Sequence, residues 1–286
     1  MTTIVPILAG GGTRLPAHIG ILQALQDMQL DFEHIVGVSG GSIISSLYAA
    51  GLPVHEIKDI AFQTNFNQFR GYSLVQLIRN GGLCDGNRFE NWMDKLLQGR
   101  TFGQVEQNLH IIATDVKSGG PVIFNAQKTP EVKVATAVRY SMSIPLLFSF
   151  KHYGPHIMVD GSILSEEALH QDWAGDGTQL VCFRTRGERG YDELQPEGFF
   201  RIKDYFVLLT RTFMTTINRE YVNENYWRST IIVNTGPMSQ LDFSVSPEQK
   251  RQLFDAGYQT TMDFVPVKVF SSAPAGHPQG GEPQSK

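Results

Sequence analysis

Two strand–glycine turn–helix units fall within the first fifty residues, and few folds accommodate that pattern. Ile4 to Ala9 is a short, nearly continuous apolar run that predicts a buried parallel strand, although Pro6 cannot donate to a ladder. Gly10, Gly11, Gly12 and Thr13 end the run. Pro16 suits a first helical turn, and Ile19, Leu22 and Leu25 continue at helical spacing to about Met28. Ile35 to Val38 is a second apolar run, ended by Ser39-Gly40-Gly41. A small-residue helix follows through Ala50, and Gly51 with Pro53 stops it. The repetition predicts α/β layering.

Beyond this region the pattern from Leu52 to Gln104 is helical and interrupted, and Asp85 can cap a helix carrying Phe89, Trp92, Met93, Leu96 and Leu97. Strand-like runs return at 109–114, 121–124, 156–159, 179–183 and 230–233. A long amphipathic segment spans 202 to about 226. Ser246-Pro247-Glu248-Gln249 is a capping box that opens a last helix to about Phe264. Ser271 to Lys286 is rich in Pro, Gly, Ser and Gln. We therefore expect one domain over 1–270 and a disordered tail over 271–286.

Composition narrows the function classes. With 24 Lys+Arg against 28 Asp+Glu, the net charge of −4 argues against a nucleic-acid binder. No stretch approaches the ~20 apolar residues of a membrane span, and Met1 to Ala9 lacks the basic start of a secretory signal. Cys84 and Cys182 lie far apart without metal-ligand spacing and read as reduced thiols, so the expected location is cytoplasmic. No His-x-x-x-His or comparable spacing calls for a metal or cofactor.

Gly37-Val38-Ser39-Gly40-Gly41 fits G-x-S-x-G, with a strand-like run before it and a helix-like run after it. That context forces a serine onto a strained turn and exposes its hydroxyl. The plainer reading is a glycine turn in which Ser39 or Ser42 caps a helix. His152, His156, His170 and His277 have no distinctive setting, so a Ser-His-Asp triad is weakly supported and another base is needed. Gly10-Gly11-Gly12-Thr13-Arg14 could form a phosphate cradle or an oxyanion hole. The cradle motifs are incomplete, since position 15 is leucine and no P-loop lysine follows. Two adjacent strand–turn–helix units bring this loop and Ser39 to one sheet edge, which favours the oxyanion hole. Arg14 could stabilise charge there or tether the loop.

Taken together, these residues resemble the patatin-like phospholipase family. The resemblance rests on Gly10 to Arg14 followed by His18-Ile19-Gly20-Ile21-Leu22, and on Gly37 to Ser42. It extends to Ala113-Thr114-Asp115 with Gly120 to Phe124, to Ala137 through Phe148, and to Val159-Asp160-Gly161. It implies an α/β three-layer sandwich with a central, mostly parallel sheet. It also implies a lipid acyl hydrolase of the phospholipase A or lysophospholipase type, acting without a metal at a membrane surface. Ser39 is implied as nucleophile and Asp160 as base, with Gly10, Gly11, Gly12, Thr13, Arg14 and Gly40 forming the oxyanion and substrate-binding set. Asp160 ends a strand-like run, where a buried carboxylate can reach a neighbouring turn with a raised pKa. An ordinary Asp-Gly turn is the alternative. Asp115, also at a strand end, is the rival, and the resemblance marks it as structural. Leu15 departs from the family's usual glycine, and Pro16 removes one backbone donor. An acyltransferase using the same groups, or an impaired lipid-binding scaffold, is therefore carried as an alternative. The aromatic-rich segment 60–78 could be a lipid entry surface, but helical core spacing is favoured, as it is for 199–213.

Overall fold

The computed structural model describes residues 2–163, 166–187, 224–239 and 241–270, with the isolated positions 205, 209, 210 and 212. Most of the amphipathic segment 202–226, and the whole of 271–286, lie outside the described residues.

The expected early units form as read. Strand β1 (Ile4–Ala9) leads through a glycine loop into helix α1 (Leu15–Asp27), and β2 (His34–Val38) leads through Ser39 into α2 (Gly40–Ala49). Pro6 is tolerated because pairing between β1 and β2 begins one residue later, at Ile7↔Val36. Further along lie α3 (Val54–Gln63), α4 (Leu74–Asn80), β3 (Gly82–Cys84) and α5 (Asn87–Leu96). Gly86 occupies the cap position of α5, and Asp85 accepts the Asn87 amide at 3.0 Å. Then come β4 (Asn108–Asp115), β5 (Gly120–Phe124), α6 (Val134–Ser141), β6 (Leu146–Phe148), β7 (Lys151–Tyr153) and β8 (His156–Val159). A short α7 (Glu166–Leu169), β9 (Gln179–Arg186), β10 (Thr230–Asn234) and α8 (Pro247–Val265) complete the described strands and α-helices.

Eight strands form one mixed sheet in the order β10-β9-β1-β2-β4-β8-β7, with β5 paired to β4. The first five are mutually parallel. Their apolar runs are continuous because both faces are buried. Ile4, Leu8, Ile35, Leu109, Ile111 and Phe183 share one core with α1, α2 and Leu253 of α8. Val5, Ile7, Val36, Val38, Ile112 and Cys182 face the other way, onto Leu169 and Trp173. The period of two between these sets is what strand geometry requires.

Strand β4 determines where the chemistry-bearing residues meet. One of its edges is taken by β5, from Ile111↔Phe124 to Asp115↔Gly120. Its other edge pairs with β2 as far as Ile112↔Val38 and with β8 from Thr114↔Val159 onward. Strand β2 arrives parallel to β4 and β8 arrives antiparallel, so the two meet end to end. The residues that follow them, Ser39 and Asp160, therefore face each other.

Strands β3, β6 and β7 were not expected from the sequence. Each is three residues long, too short to show alternation. The 60–78 segment divides in two. Phe66 and Phe69 are core, with Phe69 packed on Phe89 and Trp92 at ring distances of 5.6 and 5.1 Å. Leu74, Val75 and Ile78 of α4 are exposed.

The capping box at Ser246 forms, with Gln249 N–H donating to Ser246 Oγ at 3.2 Å and Ser246 N–H to Gln249 Oε1 at 2.8 Å. One turn on, the buried Lys250 amine donates to the carbonyls of Ala61, Phe62 and Thr64 at 3.0, 2.9 and 2.9 Å. It thereby satisfies the orphan acceptors at the end of α3. Lys250→Met should lower stability by about 2 kcal/mol, since charge-assisted bonds are lost and carbonyls left buried. Urea melts check this through a lower midpoint at unchanged slope.

Candidate active site

Ser39 adopts φ +53°, ψ −126°, a conformation side chains avoid at a cost of about 1–3 kcal/mol. The neighbouring hydrogen bonds hold it there. Its amide donates to Ser141 Oγ at 2.8 Å, and that hydroxyl donates onward to Ile112 O at 2.7 Å. Its carbonyl accepts from the Ser42 amide at 2.9 Å and the Ser42 hydroxyl at 2.6 Å. Gly40 must lack a side chain, because a Cβ there would lie 2.7 Å from both N and O of Gly12. The glycine loop and the serine turn are thus in direct contact at the C-terminal edge of β1 and β2.

Ser39 Oγ donates to Asp160 Oδ2 at 2.7 Å, with no group between them. The carboxylate's other oxygen accepts the Ser162 amide at 2.8 Å, and the Asp160 amide donates to Ser143 O at 3.0 Å. Gly161 lies so close to Ile112 O that any Cβ would clash with it. Asp160 is fully buried, and burial raises its pKa to about 6 against the opposing bonds from Ser39 and Ser162. Ser39 is itself only 2% exposed, and Met142 Sδ lies 3.9 Å from its hydroxyl.

The glycine loop assigns its groups unequally. Gly10 is not a free donor, since its amide donates to Val38 O at 3.1 Å. Its carbonyl accepts from Gly41 N at 3.0 Å and lies 3.0 Å from His18 Nε2. A carbonyl only accepts, so Nε2 carries the His18 proton. Burial lowers the His18 pKa to about 4, so the ring is neutral. Gly10 therefore pins the loop. Among the described residues, the amides of Gly11, Gly12 and Gly40 have no protein acceptor. Gly40 opens α2, whose dipole favours negative charge, and Gly12 packs against it. Thr13 is buried in the same loop.

Arg14 turns its side chain away from Ser39. Nη1 donates to Thr235 Oγ1 at 2.9 Å, just beyond β10, and burial lowers its pKa to about 10. Of the two readings of Arg14, the tether is the one with an observed contact. Leu15 and Pro16 are the first two residues of α1, and Leu15 packs into the core. The unpaired amides of Gly11 and Gly12 precede both residues, and that of Gly40 lies on the other turn.

The remaining candidates lie elsewhere. Asp115 accepts from the Ile157, Lys117 and Ser118 amides, and lies 2.9 Å from His156 Nδ1. The His156 contact, with these amides, holds its carboxyl well below the usual range. Asp115 is thus a clasp between the end of β4 and the start of β8. His170 stacks on Tyr226 at 4.0 Å, and His277 is outside the described residues. Sequence reasoning missed Ser141, Ser143 and the task of His18. All three lie inside quoted motifs, but nothing in those motifs marked the partners they take. Among the described residues no group of three or more His, Cys, Asp or Glu could hold a metal ion, and no helix could cross a membrane.

The buried carboxyl gives a test of the geometry that needs no substrate. Its folded-state pKa is about 6, above the ordinary value near 4, so the native state holds the extra proton between those values. Wild-type stability then falls as pH rises through that window, by up to about 3 kcal/mol. Asp160→Asn removes this dependence. The stability difference, variant minus wild type, should grow in the variant's favour from pH 4 to 7, as read from urea midpoints.

The sequence pattern of the family described as Patatin-like phospholipase matches residues 7–172. That span contains the glycine loop, Ser39, Ser141 and Asp160. The uncharacterized protein R571 of Acanthamoeba polyphaga mimivirus is 27% identical over 276 residues, covering 88% of this chain and 90% of its own. The triacylglycerol lipase ptl3 of Schizosaccharomyces pombe is 29% identical over 158 residues, covering 50% of this chain. The chain spans 33% of ptl3's length. The crystal structure of VipD from Legionella pneumophila shares the fold at a TM-score of 0.64 and 17% identity, over 93% of this chain and 66% of VipD. With more than half of its length matched, this chain belongs to the patatin-like phospholipase family.

Proposed function

We propose that the chain is a serine acyl hydrolase of the phospholipase A or lysophospholipase type, which cleaves fatty acyl esters of glycerolipids through Ser39 and Asp160. One observation carries the reading: a strained, buried serine donates 2.7 Å to a lone buried carboxylate whose pKa is raised to about 6. An ordinary aspartate is too weakly basic to draw a proton from a serine hydroxyl. A dry one with a raised pKa takes it more readily as the tetrahedral intermediate forms.

In this mechanism Ser39 Oγ attacks the ester carbonyl and its proton passes to Asp160 Oδ2. The oxyanion receives the unpaired amides of Gly11, Gly12 and Gly40, together with the positive end of α2. As the intermediate collapses, Asp160 returns the proton to the departing alcohol and an acyl-Ser39 ester remains. Water, deprotonated by Asp160, then attacks the acyl-Ser39 carbonyl, and as the fatty acid departs Asp160 returns the proton to Ser39 Oγ. His18 and Gly10 keep the loop's amides turned inward, and Arg14 fastens the loop to the end of β10. The likeness to ptl3, named a triacylglycerol lipase, makes neutral glycerides the second substrate class to test.

Ser39→Ala should abolish hydrolysis of phosphatidylcholine, lysophosphatidylcholine and triacylglycerol alike, by about 10⁴-fold or more. Asp160→Asn should lose about 10²–10⁴-fold, the usual share of a general base. A fluorophosphonate probe should label wild type and not Ser39→Ala. Wild-type activity on a soluble ester should rise about tenfold per pH unit below pH 6 and level off above it, because only ionised Asp160 accepts the proton. Wild-type rates in Asp160→Asn would overturn the assignment. Acyl transfer to added lysolipid outrunning hydrolysis would select the acyltransferase instead.

A further inference from the structure

We infer that helix α4 and the apolar positions beside the Met142–Leu146 turn form a surface that docks on an anionic lipid bilayer. The inference rests on the lipid-ester reading of the site and names the surface from which its substrate is drawn. Helix α4 has no buried residue, and Leu74, Val75 and Ile78 are 47%, 60% and 85% exposed. An isolated seven-residue helix is marginal in water, so its fixed position comes from its attachments. The Ser73 side chain caps it, accepting the Gln76 amide at 3.3 Å, and the Ser73 amide donates to Leu83 O at 2.9 Å. Gln76 Nε2 donates to Ser149 Oγ at 3.0 Å.

Those attachments lead to the reactive turn. Strand β3 pairs with β6 from Gly82↔Leu146 to Cys84↔Phe148. Leu146, held at φ +66°, is four residues beyond Met142, whose sulfur lies 3.9 Å from the Ser39 hydroxyl. A second contact reaches the same turn: the Thr210 hydroxyl donates to Pro145 O at 3.3 Å, and its neighbour Leu209 is exposed. Phe150, which follows β6 and faces Gly81, is exposed as well. Exposed apolar side chains are thus joined to the Met142–Leu146 turn through β6 and through Thr210.

Charge decides the occupant. Between Asp59 and Asp85 the chain has no acidic residue, whereas Arg70 and Arg79 flank the exposed stretch. Arg79 is exposed in the last turn of α4, beside Ile78. Exposed aliphatics beside the exposed Arg79, on a stretch of chain without an acid, suit acyl chains beneath phosphate headgroups. A different apolar patch, Trp227, Val267 and Phe270, lies near the starting ends of β9 and β10, across the sheet from Ser39, and serves as a control.

The test uses the full chain carrying Ser39→Ala, so binding is read without turnover. Vesicles of phosphatidylcholine mixed with phosphatidylglycerol, and of phosphatidylcholine alone, are sedimented with protein. Adding Val75→Ser and Ile78→Ser should weaken partitioning about tenfold or more, because two aliphatic side chains no longer enter the bilayer. Arg79→Gln should weaken it about fivefold on the mixed vesicles and hardly at all on phosphatidylcholine alone. Val267→Ser should leave it unchanged. In the Ser39 background, the Val75→Ser, Ile78→Ser pair should hydrolyse a soluble short-chain ester at the wild-type rate and lose activity on vesicles. Unchanged partitioning of the pair, or an equal loss with Val267→Ser, would overturn the inference. So would a dimer, seen by analytical ultracentrifugation, that the pair dissociates while vesicle binding persists. Failure of Ser39-dependent ester hydrolysis with partitioning intact would instead strike the catalytic reading and leave the docking surface standing.

Discussion

The end-to-end meeting of β2 and β8 along one edge of β4 is the constraint on which the site depends. Ile112 pairs with Val38 and Thr114 with Val159, which leaves Ala113 between the two junctions. Both flanking strands must stop there, and both do so by turning away after a small-residue step. Ser141 fastens the junction from the helical side by bridging the Ser39 amide to the Ile112 carbonyl. A slip of one residue in the pairing of β8 would carry Asp160 to the opposite face of the sheet. The serine and the carboxylate are therefore neighbours through strand register, and their hydrogen bond reports that register directly.

Several costly features are concentrated around that junction. Ser39 has a backbone angle that side chains avoid, Asp160 is a carboxyl without water, and two arginines are nearly buried nearby. Arg139 donates to Ser143 Oγ at 2.6 Å and to the carbonyls of Asp85 and Ser149 at 2.8 Å. Its charge is thus spread over neutral acceptors, and burial lowers its pKa to about 10. Arg14 meets Thr235 in the same manner. None of these arrangements stabilises the fold by itself. They persist because a large two-faced core and the clamp of α8 onto α3 hold the backbone around them.

What could be read in the sequence was whatever local backbone chemistry dictates. Ile4 to Ala9, the glycine breaks and the Ser246 box each bias their own neighbourhood, and all three form as read. The serine turn was legible for the same reason: a strand, a glycine-flanked serine and a helix leave little freedom. Partners chosen across the fold were not legible. Nothing near Ser141 or Ser143 distinguishes them from other serines in an alanine- and serine-rich helix, since their acceptors and donors lie on β4 and at Asp160. Arg14 reads like an oxyanion group from its neighbours, yet its contact is 221 residues away. Gly10 illustrates the limit most sharply. Its place in the loop matched a donor, but register with β2 uses its amide for Val38. The segment 60–78 split because its aromatics share a helix-like spacing that cannot tell which turn finds a partner.

The proposed chemistry places two opposing demands on this site. Asp160 is basic enough to act only because water and solvent charge are excluded from it, and the same exclusion leaves Ser39 almost inaccessible. A small polar substrate would have to bring water in and would lower the very pKa it requires. A fatty acyl chain resolves the conflict, because it can displace Met142 and line the approach to Ser39 without restoring a polar environment. Met142 Sδ, 3.9 Å from the Ser39 hydroxyl, is the apolar group such a chain would meet first. The preference for lipid would then follow from the electrostatics of a lone carboxylate base as much as from any shape complementary to the substrate.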